Sequence, residues 1–519
     1  MQTLPIGVQD FVRLRQDNLL YVDKTARLLE LIQNGQRYFL SRPRRFGKSL
    51  TISTLGAMFS GHAELFKGLA AEEWVSKQAQ KPSPVLRFDM SGLDIRTSQS
   101  LQKSLKEIIR RTGKNFNVEI QSETLNGMFT DLLSEIYKDH GAVVVLVDEY
   151  DKPILDNIND LKRTDKMREI LRSFYTTLKS CDEYLRFVML TGISKFSKAG
   201  VFSAMNNLMD ISMLKRYGDI VGYTQEELDN NFAEWLEASS KSMNLTRNEL
   251  REKIKSYYDG FCFDGKTRLY NPFSLLNFFI DDKFGNYWYK SGSPTFIVKY
   301  MKEHAISDPD KYRHFEVPDD FSDSHEIERS MPESFLYQSG YLTIEKWEDD
   351  VITLDYPNEE VRKSIVRMYL DEIYHVKRYI TLGTQIWRAL SNGNIEATVE
   401  LFNTAICAVP YDDFPNRNEF WYRSLFLMLL RGAGIIAYAE VHTFKGRADI
   451  VIQFETQVIV LEFKFAERGS EVEKKLHEGS LQLNDREYAA SYKLENRKVI
   501  SAVIVANDEK RQAVGAEIK

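Results

Sequence analysis

The run Gly141-Ala142-Val143-Val144-Val145-Leu146-Val147-Asp148-Glu149 constrains this chain more than any other segment, because it is apolar without interruption until two carboxylates close it. A strand with one wet face alternates in polarity, whereas a short all-apolar run fits a parallel strand buried on both faces. Ligands bind at the carboxyl ends of such strands, which places Asp148 and Glu149 where chemistry is expected. The surrounding sequence agrees. From residue 1 to about Tyr223, short apolar runs alternate with amphipathic stretches, the rhythm of an α/β fold with a mostly parallel sheet, with candidate strands Arg37–Ser41, Val85–Asp89, Ala142–Asp148 and Leu185–Thr191.

The first candidate strand runs into Arg42-Pro43-Arg44-Arg45-Phe46-Gly47-Lys48-Ser49 and then into an apolar helix starting Leu50-Thr51-Ile52. A helix N-terminus presents unpaired N–H groups and the positive end of its dipole, so a strand, tight loop and helix in this order form an anion site. Gly47 lets the backbone approach phosphates, Lys48 reaches the β/γ oxygens, and Ser49 holds Mg²⁺, the P-loop (Walker A) arrangement for ATP. Arg44, Arg45, Phe46 and Leu50 complete the expected cradle. The P-loop pattern asks for glycine at position 42, where this chain has arginine, and Pro43 is suited to pre-set the turn instead. The acidic run supplies the Walker B partner: Asp148 for Mg²⁺ and Glu149 for the attacking water. The strand ending in Thr191-Gly192-Ile193-Ser194-Lys195 adds polar groups beside them, with Thr191 or Ser194 to sense the γ-phosphate and Lys195 to supply positive charge.

A second constellation lies near the C-terminal end. Gly446-Arg447-Ala448-Asp449-Ile450-Val451-Ile452 and Gln457-Val458-Ile459-Val460-Leu461-Glu462-Phe463-Lys464-Phe465 read as antiparallel strands joined near Glu455-Thr456. Strand alternation puts Glu462 and Lys464 on one face. An E-x-K pair alone is most often a cross-strand ion pair on a wet face. With Asp449 beside it, however, Asp449, Glu462 and the Phe463 carbonyl form an oxygen-rich site for Mg²⁺ or Mn²⁺. Lys464 then orients or deprotonates the water that attacks a phosphodiester. Glu419, on a helix read as Glu419–Leu430, is a further acidic ligand, and Gln482 on the following helix positions substrate. The order of elements after Asn418 is αβββαβ, with the last strand ending near Ala506.

At 519 residues the chain exceeds one hydrophobic core, so several domains are expected. The boundaries read as an ATPase-like domain over 1–223, a helical lid or connector over 224–380 that opens with a capping box from Thr224 to Glu227, and a nuclease-like domain over 381–519. A net charge of -6 excludes coating of nucleic acid by bulk electrostatics and leaves room only for a local basic groove. Three separated cysteines give neither a disulfide framework nor a zinc pattern. The N-terminus lacks the apolar core of a signal peptide, and the greasiest stretch, 424–439, is broken by Arg431 and two glycines. A cytoplasmic location and no membrane contact are the expectation.

Taken together, the chain resembles the bacterial family of AAA-ATPase-like proteins with a C-terminal PD-(D/E)XK nuclease-superfamily domain. The resemblance rests on Tyr21-Val22-Asp23-Lys24-Thr25, the arginine-rich loop through Ser49, Asp148-Glu149-Tyr150-Asp151-Lys152-Pro153 and Thr191-Gly192-Ile193-Ser194-Lys195-Phe196-Ser197. It continues through Tyr270-Asn271-Pro272-Phe273-Ser274, Gln338-Ser339-Gly340-Tyr341-Leu342-Thr343, and Gly446-Arg447-Ala448-Asp449 with Glu462-Phe463-Lys464. It implies a P-loop ATPase core, a helical or winged connector, a restriction-endonuclease-like C-terminal fold, and a loop whose Arg42 is the family's own variant. The expected function is an ATP-binding and hydrolysing protein coupled to a metal-dependent DNA nuclease, with ATP, DNA and further copies of itself as partners. The alternative is a signalling or binding ATPase whose nuclease-like fold recognises nucleic acid or protein without cleavage.

Overall fold

The computed structural model describes residues 1–158, 160–195, 207–290, 297–298, 301, 312–322, 331–410, 417–435, 437–443, 446–454, 456–485 and 497–518. The turn at Glu455 and the motif residues Phe196 and Ser197 lie outside these. Contacts divide the chain into two compact units, one of Met1–Phe296 with Lys311–Arg362 and one of Ile297–Asp310 with Lys363–Lys519. The segment from Thr224 to Arg362 thus groups with the N-terminal body, apart from the stretch 297–310.

The first unit is organised by a five-stranded sheet of β1 (Arg37–Ser41), β2 (Val85–Asp89), β3 (Val143–Asp148), β4 (Leu185–Gly192) and β5 (Met209–Asp210), in the order β2-β3-β4-β1-β5. Every pairing is parallel. All six residues of β3 are buried, as its continuous apolar character requires, and β3 starts at Val143 rather than Ala142. The order matters for function. β4 lies between β1, which feeds the phosphate loop, and β3, which ends in Asp148, so loop, Thr191 and acid emerge at one edge of the sheet.

The remainder of this unit, within the segment read as a helical lid or winged connector, combines helices with a small sheet. Helices Gln225–Asn231, Ala233–Ser242, Arg247–Tyr258 and Pro272–Asp281 enclose an aromatic core that includes Phe232, Tyr258, Phe278 and Phe279. The capping box is formed, with Thr224 Oγ1 accepting from Glu227 N and Glu227 accepting from Thr224 N. The helices are joined by a small antiparallel sheet of β6 (Phe315–Pro318), β7 (Thr343–Glu348) and β8 (Val351–Asp355), in the order β6-β8-β7.

In the second unit, helices Tyr379–Ser391, Ile395–Ala408 and Glu419–Gly432 accompany β9 (Ala437–Thr443), β10 (Gly446–Gln453) and β11 (Gln457–Ala466), followed by helix Val472–Asp485 and β12 (Lys498–Asn507). This is the expected αβββαβ order, with one addition. The strand ending near Ala506 is not the last, because β13 (Gln512–Ile518) pairs antiparallel with it and closes the order β13-β12-β11-β10-β9. β11 and β12 are parallel, which a connecting helix makes feasible. Ala448, Val451, Val458, Val460, Val503 and Val505 belong to one buried hydrophobic cluster of this unit.

Candidate functional site

The phosphate loop is bent by two residues in the left-handed region, Arg45 with φ 68° and Gly47 with φ 97°. No side chain caps helix Lys48–Phe59, so the N–H groups of its first turn are left for an anion. Lys48 is 7% exposed, and its ammonium donates to the carbonyls of Arg42 and Pro43, each at 2.8 Å. Burial pulls its pKa down to about 8, opposed chiefly by Asp148 and then by Asp151 and Glu149. The ammonium and the acidic end of β3 therefore share one electrostatic environment. Ser49 is half-buried on the first turn of this helix, and Leu50 lines a cavity of about 70 Å³ with Gly47, Thr51 and Tyr21.

Asp148 is 8% exposed, and its Oδ1 accepts from Thr191 Oγ1 at 2.7 Å and from Glu149 N at 3.0 Å. Glu149 has φ 51°, a rare value for a residue with a Cβ. Burial and the neighbouring Asp148 hold its carboxyl above the usual range. Ser194 belongs to a different network: its N and Oγ both donate to Asp151 Oδ2 at 2.7 Å, and Ile193 N adds a third bond at 2.9 Å. Asp151 appears in the sequence only within the motif Asp148-Glu149-Tyr150-Asp151-Lys152-Pro153, with no role of its own assigned there. The Lys195 ammonium pairs with Asp210 at 2.6 Å, on the β5 side of the loop, and its N–H donates to Gln338 Oε1.

The arginines of the loop have aromatic partners from the following segment. Arg42 is 1% exposed with its guanidinium 4.3 Å from the Phe263 ring centre; Arg45 lies over Phe273 at 4.9 Å and Arg44 over Trp288 at 6.0 Å. Phe46 is buried edge-on against Phe261 and Phe263 at 4.9 and 5.6 Å. The Arg44 carbonyl accepts from Asn271 Nδ2 and Trp288 Nε1. Gly340 has φ 89°, and a Cβ there would fall 2.6 Å from that of Pro43. A planar guanidinium stacks well on an aromatic face. The segments around Asn271 and Gly340 thus clasp the phosphate loop, so Arg42, Arg44 and Arg45 fix its shape at least as much as they offer charge.

The C-terminal constellation is assembled by β10, β11 and helix Glu419–Gly432. The ladder between β10 and β11 reaches Ile450↔Leu461, and beyond it the Asp449 carboxylate takes over, with Oδ2 accepting from Phe463 N at 2.8 Å. Asp449 Oδ1 accepts from Arg423 Nη1 at 2.8 Å. Glu462 is 1% exposed, and its Oε1 pairs with the Lys464 ammonium at 2.7 Å. Its other oxygen, Oε2, is buried without a hydrogen-bond partner. Burial and then Asp449 push this carboxyl up to about 7, against the pull of Lys464. Glu419 is also raised by burial and by Asp449, with Lys464 opposing, so all four residues fall in one field. Phe463 is buried against Phe426 at 5.5 Å, which fixes the strand between the two charged positions. Gln482 lies on helix Val472–Asp485. Arg423 was missed by sequence, although it stands one helical turn after Glu419.

A buried carboxylate oxygen left unpaired costs free energy that a cation can return. The donor set of Asp449, Glu462 and Glu419 is all oxygen, which fits Mg²⁺ or Mn²⁺. The phosphate loop fits a nucleotide by its uncapped helix, its buried ammonium and the adjacent acid. The described residues contain no helix long and apolar enough to cross a membrane.

Residues 5–202 match a family model described as predicted AAA-ATPase, and residues 417–515 match one described as PD-(D/E)XK nuclease superfamily. A protein of Azotobacter chroococcum mcd 1, described as an uncharacterized protein in the vnfD 5' region, is 33% identical over 527 residues, spanning 99% of this chain and 98% of its own length. Among solved structures, the ORC2 protein of Aeropyrum pernix in ADPNP-ADP complexes aligns at 12% identity over 80% of this chain and 85% of its own, with a TM-score of 0.26. Cdc6p of Pyrobaculum aerophilum aligns at 9% identity over 69% and 94%, with a TM-score of 0.25. These superpositions are loose; the fold rests on the strand orders and the family matches.

Proposed function

We propose, from the premise that this chain belongs to the bacterial family of AAA-ATPase-like proteins with a C-terminal PD-(D/E)XK nuclease-superfamily domain, that it binds and hydrolyses ATP and that its C-terminal site cleaves DNA with a divalent metal. The observation that carries the nuclease reading is Glu462 Oε2, a buried and unpartnered carboxylate oxygen in the same field as Asp449. Asp449, Glu462, Glu419 and the Phe463 carbonyl would hold Mg²⁺ or Mn²⁺. When bound, the metal supplies a Lewis acid for the scissile phosphate. Lys464 then holds the attacking water, Arg423 positions Asp449, and Gln482 contacts the DNA.

In the ATP site, Lys48 exchanges the carbonyls of Arg42 and Pro43 for phosphate oxygens, while Ser49 and Asp148 hold Mg²⁺. Glu149 polarises the water, Thr191 steadies Asp148, and Lys195 offers charge near the γ-phosphate. We assign coupling to the segment 224–380, supported by the aromatic partners it gives the loop arginines, and keep 223 and 380 as functional boundaries. Binding of DNA and self-association complete the proposal.

Plasmid digestion with Mg²⁺ or Mn²⁺, with and without ATP, tests it. Cleavage by the intact protein that is lost in Asp449→Ala and Lys464→Ala and altered in Lys48→Ala is expected. Equal cleavage by all of them contradicts the nuclease, and DNA retention without any cleavage favours a recognition module.

A further inference from the structure

The small sheet β6-β8-β7 gathers three metal-ligating side chains at one end. His314 directly precedes β6, whose Phe315 pairs with Leu354, and Asp355 ends β8. Glu345 sits where the register between β7 and β8 slips, between the pairs Ile344↔Leu354 and Lys346↔Thr353. A bulge of this kind re-aims a side chain that regular alternation would send elsewhere. Here His314 Nδ1 lies 2.7 Å from Glu345 Oε2 and 3.7 Å from Asp355 Oδ2, and the three ligand atoms all fall within 4.8 Å of one another. Ligands held at about 2.0–2.2 Å from one ion stand roughly 3–4 Å apart, so small side-chain shifts suffice to enclose a cation.

A separate observation points into the same place. Glu345 and Asp355 line an open cavity of about 360 Å³ together with Asp259. Asp259 is 6% exposed, and its Oδ1 is buried without a hydrogen-bond partner. Such an oxygen is costly unless something in the cavity donates to it, and a water on a bound cation would do so. Nearby positive charge is partly committed elsewhere: Arg268 donates to the carbonyls of Gly260, Ile344 and Glu345. Arg313 Nε lies 3.7 Å from Asp355 on the sheet edge and would give way to an ion.

We propose that His314, Glu345 and Asp355 form a second divalent-cation site, distinct from the nuclease centre, with Asp259 receiving a hydrogen bond from a metal-bound water. One imidazole and two carboxylates with open coordination positions suit a first-row transition ion such as Zn²⁺ better than Mg²⁺. The site is structural in placement, since it ties the strand ends of the connector sheet together.

The test uses full-length protein carrying Asp449→Ala and Glu462→Gln, so that the nuclease centre does not contribute. After incubation with Zn²⁺ and dialysis, metal analysis is expected to find about one ion per chain, and Zn²⁺ to raise Tm by about 3 °C. Adding His314→Ala, or separately Glu345→Gln, should remove both the ion and the shift while leaving the metal-free Tm close to that of the parent. Retention of zinc by both variants, or no zinc in the parent, overturns the proposal. The outcome is independent of whether the C-terminal site cuts DNA.

Discussion

Glu462→Gln isolates the electrostatic cost of the proposed metal site. The folded protein holds this carboxyl at about 7, against about 4.5 for an ordinary glutamate. A raised folded value means that the group contributes stability below the unfolded pKa and loses it as pH rises through the folded one. At 1.36 kcal/mol per unit, the loss between pH 4.5 and pH 8 comes to about 3 kcal/mol. Glutamine keeps the shape and never ionises. The stability difference, variant minus parent, should therefore grow by about 3 kcal/mol from pH 4.5 to pH 8 in metal-free buffer. Urea unfolding of the C-terminal unit, followed at both pH values with and without Mn²⁺, measures it. Manganese should shrink the difference at pH 8, because a cation favours the carboxylate, and its binding at pH 6 should release a proton. A difference that does not change with pH would refute the claim that Glu462 is held against ionisation.

The proposed ATP site yields four further expectations. Lys48→Ala should weaken ATP binding by about 100-fold or more by calorimetry, since it removes a charged donor from a buried site. In the parent, ATP affinity should fall as pH rises above about 8, because binding favours the ammonium that burial has made easier to deprotonate; an affinity flat from pH 7 to 9.5 contradicts this. Thr191→Val, which deletes the 2.7 Å hydrogen bond to Asp148, should lower kcat for ATP hydrolysis by about tenfold with little change in KM, and an unchanged kcat would remove Thr191 from the site. Phe46→Ala empties a fully buried position between Phe261 and Phe263 and should cost about 3–5 kcal/mol, visible as a lower Tm.

The parts of this fold that were legible in the sequence are those whose burial is written locally. β1 and β2 begin and end at the residues read from their apolar patterns, and β4 runs one residue further, to Gly192. Buried parallel strands advertise themselves because both faces must be apolar. β5 has two residues, too few for any periodicity, and exists through its pairing with Tyr38 and Phe39. The strand Thr343–Glu348 carries a lysine and two glutamates, so its sequence reads as polar surface until β8 pairs with it. β13, with its glycine and alanines, is an edge strand that only β12 defines. In the sites, the Gly-Lys-Ser core, the acids of β3 and the Asp449, Glu462 and Lys464 set were legible because their spacing is short. Arg423 on Asp449 and the aromatic partners of Arg42, Arg44 and Arg45 were not, since those contacts join residues far apart in the chain.

Crystals grown with a non-hydrolysable ATP analogue and Mn²⁺, with the metal located by its anomalous scattering, would report on both centres at once. One peak is expected between Ser49 Oγ, Asp148 and the β/γ-phosphates, with the Lys48 ammonium on the phosphates and no longer on the Arg42 and Pro43 carbonyls, and another between Asp449 and Glu462. Analogue bound away from Lys48, with no metal beside Asp148, would contradict the ATPase assignment on which the coupling depends.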